Sequence, residues 1–229
     1  FKTHSRVGLG VFETLDKIPE GGEYKHGTIG ERGETIQLAT YGKLFAITRQ
    51  AIINDDLTAF TDIPRKMGRA ASRTVGDIVW KVLTSNPTMS DGVTLFHAAT
   101  HKNLAASGTV INAANVGAAR TAMRKQKDGA ATLNIRPQYL LVPAALEDTA
   151  RVLMASETDP ANTNSRVPNP VRGSLEIIVD ARLDEASATA WYLTADPNLF
   201  DTIEVGYLDG VAAPFLDQQD GWTVDGVEY

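Results

Sequence analysis

Two adjoining stretches decide the fold: residues 23–51, EYKHGTIGERGETIQLATYGKLFAITRQA, and residues 61–86, TDIPRKMGRAASRTVGDIVWKVLTSN. The first alternates apolar and polar positions around a glycine-bounded tip at Gly30–Gly33, which predicts a projecting β-hairpin. The second predicts one long amphipathic helix. Because a two-stranded hairpin is only marginally stable in water, we expect neighbouring copies of the chain to cover it. An ordinary hairpin on the sheet of a globular protein is the alternative.

The composition is that of a globular protein without thiol chemistry. Its 229 residues are 43% hydrophobic and 22% charged, which suits one large domain or two small ones. Cysteine is absent, so disulfides, thiolate metal ligands and cysteine nucleophiles are excluded. No run approaches the roughly 20 apolar residues that span a bilayer, and we expect no membrane partner. The net charge of -6 disfavours a chain whose main task is gripping DNA.

The predicted helix has two different faces. Apolar residues recur along it at three- and four-residue steps and form one face. Arg65, Arg69 and Arg73 are spaced by four and form a basic stripe on the opposite face. These arginines are expected either to be solvated or to contact acidic residues of a neighbouring subunit. Trp80 falls within the polar arc, which indicates a second packing partner.

The rest of the chain predicts a mixture of helices and strands, and hence an α+β fold. We expect helices at Asn115–Lys127 and from Pro143 onward, with an apolar face of Leu146, Ala150 and Leu153, and strands at Tyr139–Val142, Ser174–Leu183, Thr189–Leu193, Thr202–Leu208 and Trp222–Tyr229. Residues Thr88–Ile111 are expected to be loop and hairpin. Ser156–Gly173 is a long polar loop with three prolines, and loops of that length are usually functional or disordered.

The best lead to an enzyme is the pair His97 and His101. Two histidines spaced by four on a helix can share a metal ion, but Ala98 stands where a zinc protease carries its glutamate. The segment also predicts a loop, where surface or turn histidines are the commoner explanation. Paired carboxylates at Asp55-Asp56 and Asp184-Glu185 lie at element boundaries, where capping is the usual role.

Two functions of different classes follow from these residues. One is a structural subunit that tiles a closed container, which predicts no catalytic, cofactor-binding or metal-binding residue. The other is a small metal-dependent hydrolase using His97 and His101 with a nearby aspartate. An N-terminal arm predicted at Phe1–Pro19, the ribbon, the long helix and the proline-containing loop all favour the first, because each is suited to contacting another chain. Only the four-residue spacing of His97 and His101 favours the hydrolase.

Six motifs in order carry a family resemblance: GETIQLATYG at Gly33–Gly42, ITRQAIINDDL at Ile47–Leu57, FTDIPRKMGR at Phe60–Arg69, LFH at Leu95–His97, RPQYLLVP at Arg136–Pro143 and LEIIVDARL at Leu175–Leu183. Through them the chain resembles the major head (capsid) subunits of tailed phages and prophages, in particular the Mu-like head subunit group. Together the motifs are spread over residues 33–183, which is most of the chain.

This resemblance implies the Hong Kong 97-type capsid fold. The implied order is an N-terminal arm at 1–22, an extended β-hairpin loop at 23–51, a peripheral domain at 52–111 with a spine helix at 61–86, an axial domain at 112–196 with an axis-facing loop at 156–173, and return strands toward the peripheral domain at 197–229. Members of the family usually run on past a point like Tyr229, so the resemblance also implies that the last strand is truncated.

The resemblance further implies what the protein does. Such subunits form pentamers and hexamers and close into an icosahedral phage head around double-stranded DNA, assembled in the cytoplasm of the bacterial host. Implied partners are a scaffold, a maturation protease, a portal and decoration proteins, with weak non-specific contact to packaged DNA. The shell of a cellular nanocompartment with the same fold is the alternative.

The candidate inter-subunit contact residues lie in the ribbon, on the polar face of the helix and in the long loop. They are Glu23, Lys25, Gly30, Glu31, Arg32, Arg65, Arg69, Arg73, Trp80, Asn162, Asn164 and Arg166. No motif indicates that Lys25 or Lys43 forms a covalent cross-link.

Overall fold

The computed structural model describes residues 1–9, 31–54, 62–105, 107–164, 166–200, 202–217, 219–220 and 226–228. The chain divides into two compact units. Unit 1 comprises Phe1–His4, Gln37–Lys81 and Val205–Tyr229, and unit 2 comprises Ser5–Ile36 and Val82–Glu204. Helices and strands are mixed along the chain, as expected for an α+β protein.

The helices and strands follow in chain order. They are β1 (His4–Leu9), β2 (Glu31–Ile36), β3 (Ala46–Thr48), α1 (Arg49–Ile53), α2 (Ile63–Ser85), α3 (Ala113–Arg124), β4 (Lys127–Asp128), β5 (Ala131–Thr132), β6 (Pro137–Val142), α4 (Glu147–Ala155), β7 (Glu176–Val179), α5 (Arg182–Ala186), β8 (Tyr192–Ala195), β9 (Gln219–Asp220) and β10 (Gly226–Glu228). Short 3₁₀ helices occupy Ala144–Leu146 and Leu208–Gly210.

Unit 2 is built on a three-stranded sheet with β6 in the centre. Strand β6 pairs in parallel with β7 and antiparallel with β8. Leu140 and Val142 of β6 are fully buried, and Val116 of α3 and Ala150 of α4 belong to the same core. Each fully buried leucine or valine stabilises the fold by about 1.5–3 kcal/mol. Of the apolar face predicted after Pro143, Ala150 and Leu153 are buried and Leu146 is half-buried.

Polar side chains fix where the helices of unit 2 begin. The side-chain oxygen of Asn112 accepts a hydrogen bond of 2.8 Å from the Asn115 amide and caps α3, so the helix begins earlier than the sequence predicted. The Asp184 carboxylate accepts hydrogen bonds from the amides of Ala144 (2.7 Å) and Ala145 (3.1 Å). The capping role predicted for Asp184 is thus confirmed.

Three strand predictions differ from the structure. The strand predicted at Ser174–Leu183 ends at Val179, because the Asp180 carboxylate accepts a hydrogen bond from the Arg182 amide and α5 begins there. The strand predicted at Thr189–Leu193 lies at β8, since the Ser187 hydroxyl accepts from the Ala190 amide in a turn. Residues 202–207 form no strand, because no described strand lies beside them to complete a ladder.

The ribbon predicted at 23–51 also pairs differently. Strand β2 pairs with β1 in a two-stranded sheet, whereas β3 pairs antiparallel with β10, which in turn pairs with β9. Residues 37–45 between β2 and β3 contain no regular structure. A connection of that length exceeds the two to five residues typical of hairpins, and each strand is paired with a segment distant in sequence. Residues 23–30 lie outside the described part of the chain.

The long loop at 156–173 has a buried anchor, Asn169. Its Nδ2 donates hydrogen bonds to the carbonyl oxygens of Leu153 (2.6 Å) and Ser156 (3.1 Å), and its Oδ1 accepts from the Val171 amide (3.1 Å). Asn169 is the buried polar residue among the described residues, and it holds both ends of the loop. The loop is therefore a shaped projection on a fixed base.

The turn region after α2 is fixed by His101. Its Nε2 lies 2.8 Å from Asp91 Oδ2 and its Nδ1 lies 3.0 Å from the Leu95 carbonyl oxygen. Because both neighbours are acceptors, this geometry favours the imidazolium form, with a proton on each nitrogen. The hydrogen bond with Asp91 raises the pKa of His101. Hydrogen bonds from the Val93 amide and from His101 lower the pKa of Asp91.

We expect Asn169→Ala to lower the free energy of unfolding by about 2 kcal/mol, because it leaves a buried amide and two buried carbonyls without their partner. Urea denaturation followed by circular dichroism measures the change. Asn164→Ala, at the exposed tip of the same loop, is the matched control and should change stability by less than about 0.5 kcal/mol. Equal effects of the two substitutions would contradict the anchoring role.

The turn from Asp91 to His101 should be most protected at intermediate pH. The pKa of His101 is raised above its ordinary 6.5, so its stabilising contribution is complete below that value and is lost as pH rises through the raised pKa. The pKa of Asp91 is lowered below 3.8, so its contribution is complete above that value and is lost as pH falls through the lowered pKa. Hydrogen-exchange protection factors of residues 91–101 report both losses.

His101→Gln is the control for this pH dependence. Glutamine keeps a side-chain donor but cannot gain a proton, so the loss of protection on the alkaline side should disappear in this variant. An alkaline loss of the same size in both proteins would show that another group controls the turn.

Candidate assembly surfaces

Unit 1 leaves most of its large apolar side chains in solvent. Of the hydrophobic residues described in unit 1, one is buried, namely Ile47, at 6% exposure. The exposed ones are Phe1, Tyr41, Leu44, Phe45, Ile53, Ile78, Val205, Tyr207, Leu208, Val211, Phe215 and Leu216. So many exposed apolar side chains within one unit are typical of a surface that contacts another molecule. Unit 1 is therefore the part of the chain most dependent on contacts from outside.

Helix α2 buries little of the apolar face that the sequence predicted. Leu83 is its buried residue, Met67 and Val75 are half-buried, and Ile78 is 39% exposed. Trp80, expected to meet a second partner, is half-buried. A helix of 23 residues in a folded protein usually gains its stability by packing a full apolar face. The face of α2 is thus available for further packing.

The predicted basic stripe of α2 lies on its surface. Arg65, Arg69 and Arg73 are all exposed, and Arg65 lies 3.6 Å from Asp62 in a surface ion pair worth little. Within the described residues, Arg69 and Arg73 have no ion-pair partner. The first turn of α2 contains no acidic residue, so these cations lie toward the positive end of the helix dipole. An acidic partner would relieve that arrangement.

Residues 202–217 form an exposed segment, which the sequence did not predict. The sequence predicted a strand at Thr202–Leu208, but these residues form no strand, and Val205 and Tyr207 are exposed. Phe215 is 89% exposed, the largest value among the exposed hydrophobic residues of the described chain. Nothing in the sequence of this segment indicated that its apolar residues would be exposed.

The candidate residues of the ribbon are only partly described. Glu31 and Arg32 lie in β2, whereas Glu23, Lys25 and Gly30 lie outside the described residues. Sequence reasoning missed Glu34, whose carboxylate accepts hydrogen bonds from the Ser90 amide (3.2 Å) and the Ser90 hydroxyl (2.8 Å). This contact joins β2 to the turn region that follows α2.

The candidates in the long loop lie at its exposed tip. The side-chain oxygen of Asn162 accepts from the Asn164 amide (3.0 Å), and that of Asn164 accepts from the Arg166 amide (3.1 Å). The two asparagines therefore shape the tip, as in Asx turns, and Arg166 supplies an exposed cation there. These hydrogen bonds give the exposed tip a defined shape.

The geometry gives the hydrolase alternative no support. His97 and His101 have ring centroids 6.5 Å apart, but the Nδ1 of His97 accepts from the Thr100 amide, and both nitrogens of His101 are engaged. No three His, Asp or Glu side chains within the described ranges are grouped to hold a metal ion. None of the helices in the described chain combines the length and apolar character needed to cross a membrane.

Comparisons with known proteins agree with this picture. The solved capsid of bacteriophage JBD30 has a TM-score of 0.64 at 18% identity, over 79% of this chain and 86% of that one. The JBD30 capsid decorated with minor capsid protein trimers has a TM-score of 0.60 at 16% identity, over 79% and 85%. At these identities the similarity shows the fold. The search of curated proteins found no match. The model of the family described as phage capsid protein matches residues 32–229, and this chain therefore belongs to the phage capsid protein family.

Proposed function

We propose that this major capsid protein forms pentamers and hexamers that close into an icosahedral head around double-stranded DNA. The observation that carries the proposal is the exposed apolar surface of unit 1, where Ile47 is the buried hydrophobic residue of the described part. Surface of this kind is stabilised only when another chain covers it. In a shell, copies of the same chain are the available cover.

The proposed arrangement within the head is that of the Hong Kong 97-type fold. It assigns residues 1–22 to the arm, 23–51 to the extended loop, 52–111 to the peripheral domain, 112–196 to the axial domain and 197–229 to return strands. Support comes from the fold similarity to the JBD30 capsid and from the long helix α2. The anchored loop at 156–173 suits an axis-facing element, because its tip is exposed on a fixed base.

Assembly energy in this proposal is a sum of many modest contacts. Surface arginines such as Arg65, Arg69 and Arg73 contribute mainly to orientation and encounter rate, whereas burial of exposed aromatic and aliphatic side chains supplies most of the free energy. We propose the twelve candidate residues of the ribbon, the basic stripe and the loop tip as part of these contacts.

The proposed partners follow from the shell. The JBD30 capsid is described as decorated with minor capsid protein trimers, which supports decoration proteins as partners here. A scaffold, a maturation protease and a portal complete the proposed set, with only weak contact to DNA since the net charge is -6. We place the protein in the virion, assembled in the bacterial cytoplasm. Membership of the phage capsid protein family favours a phage head over a nanocompartment.

Electron microscopy of the purified chain tests the proposal directly. Negative staining should reveal uniform hollow particles, and sedimentation should show a concentration-dependent large species. A chain that stays monomeric at every concentration, with its ribbon folded back on its own body, would contradict the proposed function.

We expect deletion of Gly27–Gly33 to leave a folded, soluble subunit that does not form stable shells. The core of unit 2 lies in other segments, so circular dichroism and thermal unfolding should stay close to those of the intact chain. The deletion removes the first three residues of β2, which we propose contact a neighbouring copy, and the effect is multiplied over the shell. Val152→Ser, at an exposed site on α4, is the control and should form particles normally. Normal particles from the deletion would refute the role of the tip.

A further inference from the structure

Residues 87–95 form a short hairpin directly after α2. The Met89 amide donates a hydrogen bond to the Val93 carbonyl oxygen (2.8 Å), and the three-residue loop between them ends at Gly92. Gly92 has a φ of +80°, a backbone conformation that glycine adopts without strain. The hairpin therefore turns sharply, and Ser90 is exposed at its tip.

His101 keeps this hairpin in one conformation. The Asp91 carboxylate accepts a hydrogen bond from the Val93 amide (2.9 Å) and lies 2.8 Å from His101 Nε2. The other ring nitrogen of His101 lies 3.0 Å from the Leu95 carbonyl oxygen, at the far end of the hairpin. The Gln126 side chain in turn donates to the His101 carbonyl oxygen (3.1 Å). The tip is thus fixed to the body of unit 2.

The tip of the hairpin presents two donors to one carboxylate. The Ser90 amide lies 3.2 and 3.3 Å from the two carboxylate oxygens of Glu34, and the Ser90 hydroxyl lies 2.8 Å from Oε1. Hydrogen bonds to an ionised carboxylate are shorter and stronger than those between neutral groups. Both residues are exposed, so water competes for the contact and it can open and close reversibly. Ser90 is therefore a specific but reversible binding site for Glu34.

Strand β2 benefits from this support. It pairs with β1 in a sheet of two strands, which is marginally stable in water without further packing. Glu34 lies in the middle of β2 and 56 residues from Ser90, so the contact attaches the strand to a distant part of unit 2. A segment ordered before association loses less conformational entropy when an interface forms. The contact therefore lowers the entropic cost of an interface made by β2.

We propose that Glu34 is a positioning residue for assembly, because its contact with Ser90 holds β2 in the orientation in which this strand meets a neighbouring copy. The inference rests on the proposed function, since it needs a shell in which β2 lies at an interface. Glu34 acts through Ser90 of its own copy, whereas Glu31 and Arg32 of the same strand are the proposed contacts to the neighbour.

Hydrogen exchange in the unassembled subunit measures how firmly β2 is held. Glu34→Ala should lower the protection of the amides in residues 31–36 by about fivefold, which corresponds to one hydrogen bond of ordinary net strength. Ser90→Thr keeps both donors and should retain the protection. Glu176→Ala, which removes an exposed glutamate from β7, is the matched control and should also retain it. Unchanged protection in Glu34→Ala would overturn the inference.

A double-mutant cycle separates this contact from a general loss of stability. Ser90→Ala removes the hydroxyl donor and keeps the amide, so it should lower the protection of β2 less than Glu34→Ala does. In a chain that already carries Glu34→Ala, Ser90→Ala should have no further effect, because the carboxylate is gone. Additive effects of the two substitutions would show that the residues act independently and would overturn the inference.

Assembly of the same variants tests the consequence for the shell. Light scattering should show that Glu34→Ala raises the subunit concentration needed for particle formation by about fivefold, whereas Ser90→Thr and Glu176→Ala assemble at the normal concentration. Assembly of Glu34→Ala at the normal concentration or below it would overturn the positioning role and leave the proposed function standing. Failure of the unmodified chain to assemble would overturn both.

Discussion

The removal of apolar surface from water is the constraint on which this structure depends, and the two units meet it differently. Unit 2 meets it internally, with Leu140, Val142, Val116 and Ala150 packed into one core. Unit 1 buries Ile47 among its described residues and leaves aromatic and aliphatic side chains in solvent. In the shell that we propose, burial of this surface between copies supplies free energy for assembly. Unit 2 then contributes its own core, and unit 1 is the part that we propose neighbouring copies cover.

Polar side chains in unit 2 give its irregular segments a defined shape. Asn169 anchors the long loop, Asp184 caps the 3₁₀ helix, His101 fixes the turn after α2, and Glu34 holds β2 to Ser90. Loops ordered before association lose less conformational entropy when an interface forms. His101 and Asp184, two of the residues that looked most like chemistry in the sequence, therefore have structural roles in these segments.

Local pattern predicted the helices α2, α3 and α4 and the core face of α4, because helical periodicity reports burial within one element, but it overestimated the burial of α2. It placed Ala150 and Leu153 in the core and the three arginines of α2 at the surface. Strand pairing was predicted less well, since β2 and β3 have partners far away in sequence and no local signal encodes that choice. Residues 202–207 show the same limit. Their sequence predicts a strand, but it does not indicate which segment would pair with that strand. The hydrogen bond that the Asp180 carboxylate accepts from the Arg182 amide, at the end of β7, could not be predicted from periodicity either.

The pairing of β3 with β10 also sets an order of events during synthesis. Ala46 is aligned with Glu228, so the sheet of unit 1 cannot close until the ribosome has made nearly all of the intervening polypeptide. At about 5–20 residues per second, that is a delay on the order of ten seconds or more, during which unit 2 can mature alone. The sheet of unit 1 is therefore completed last, after all the segments that form the core of unit 2 have been synthesised.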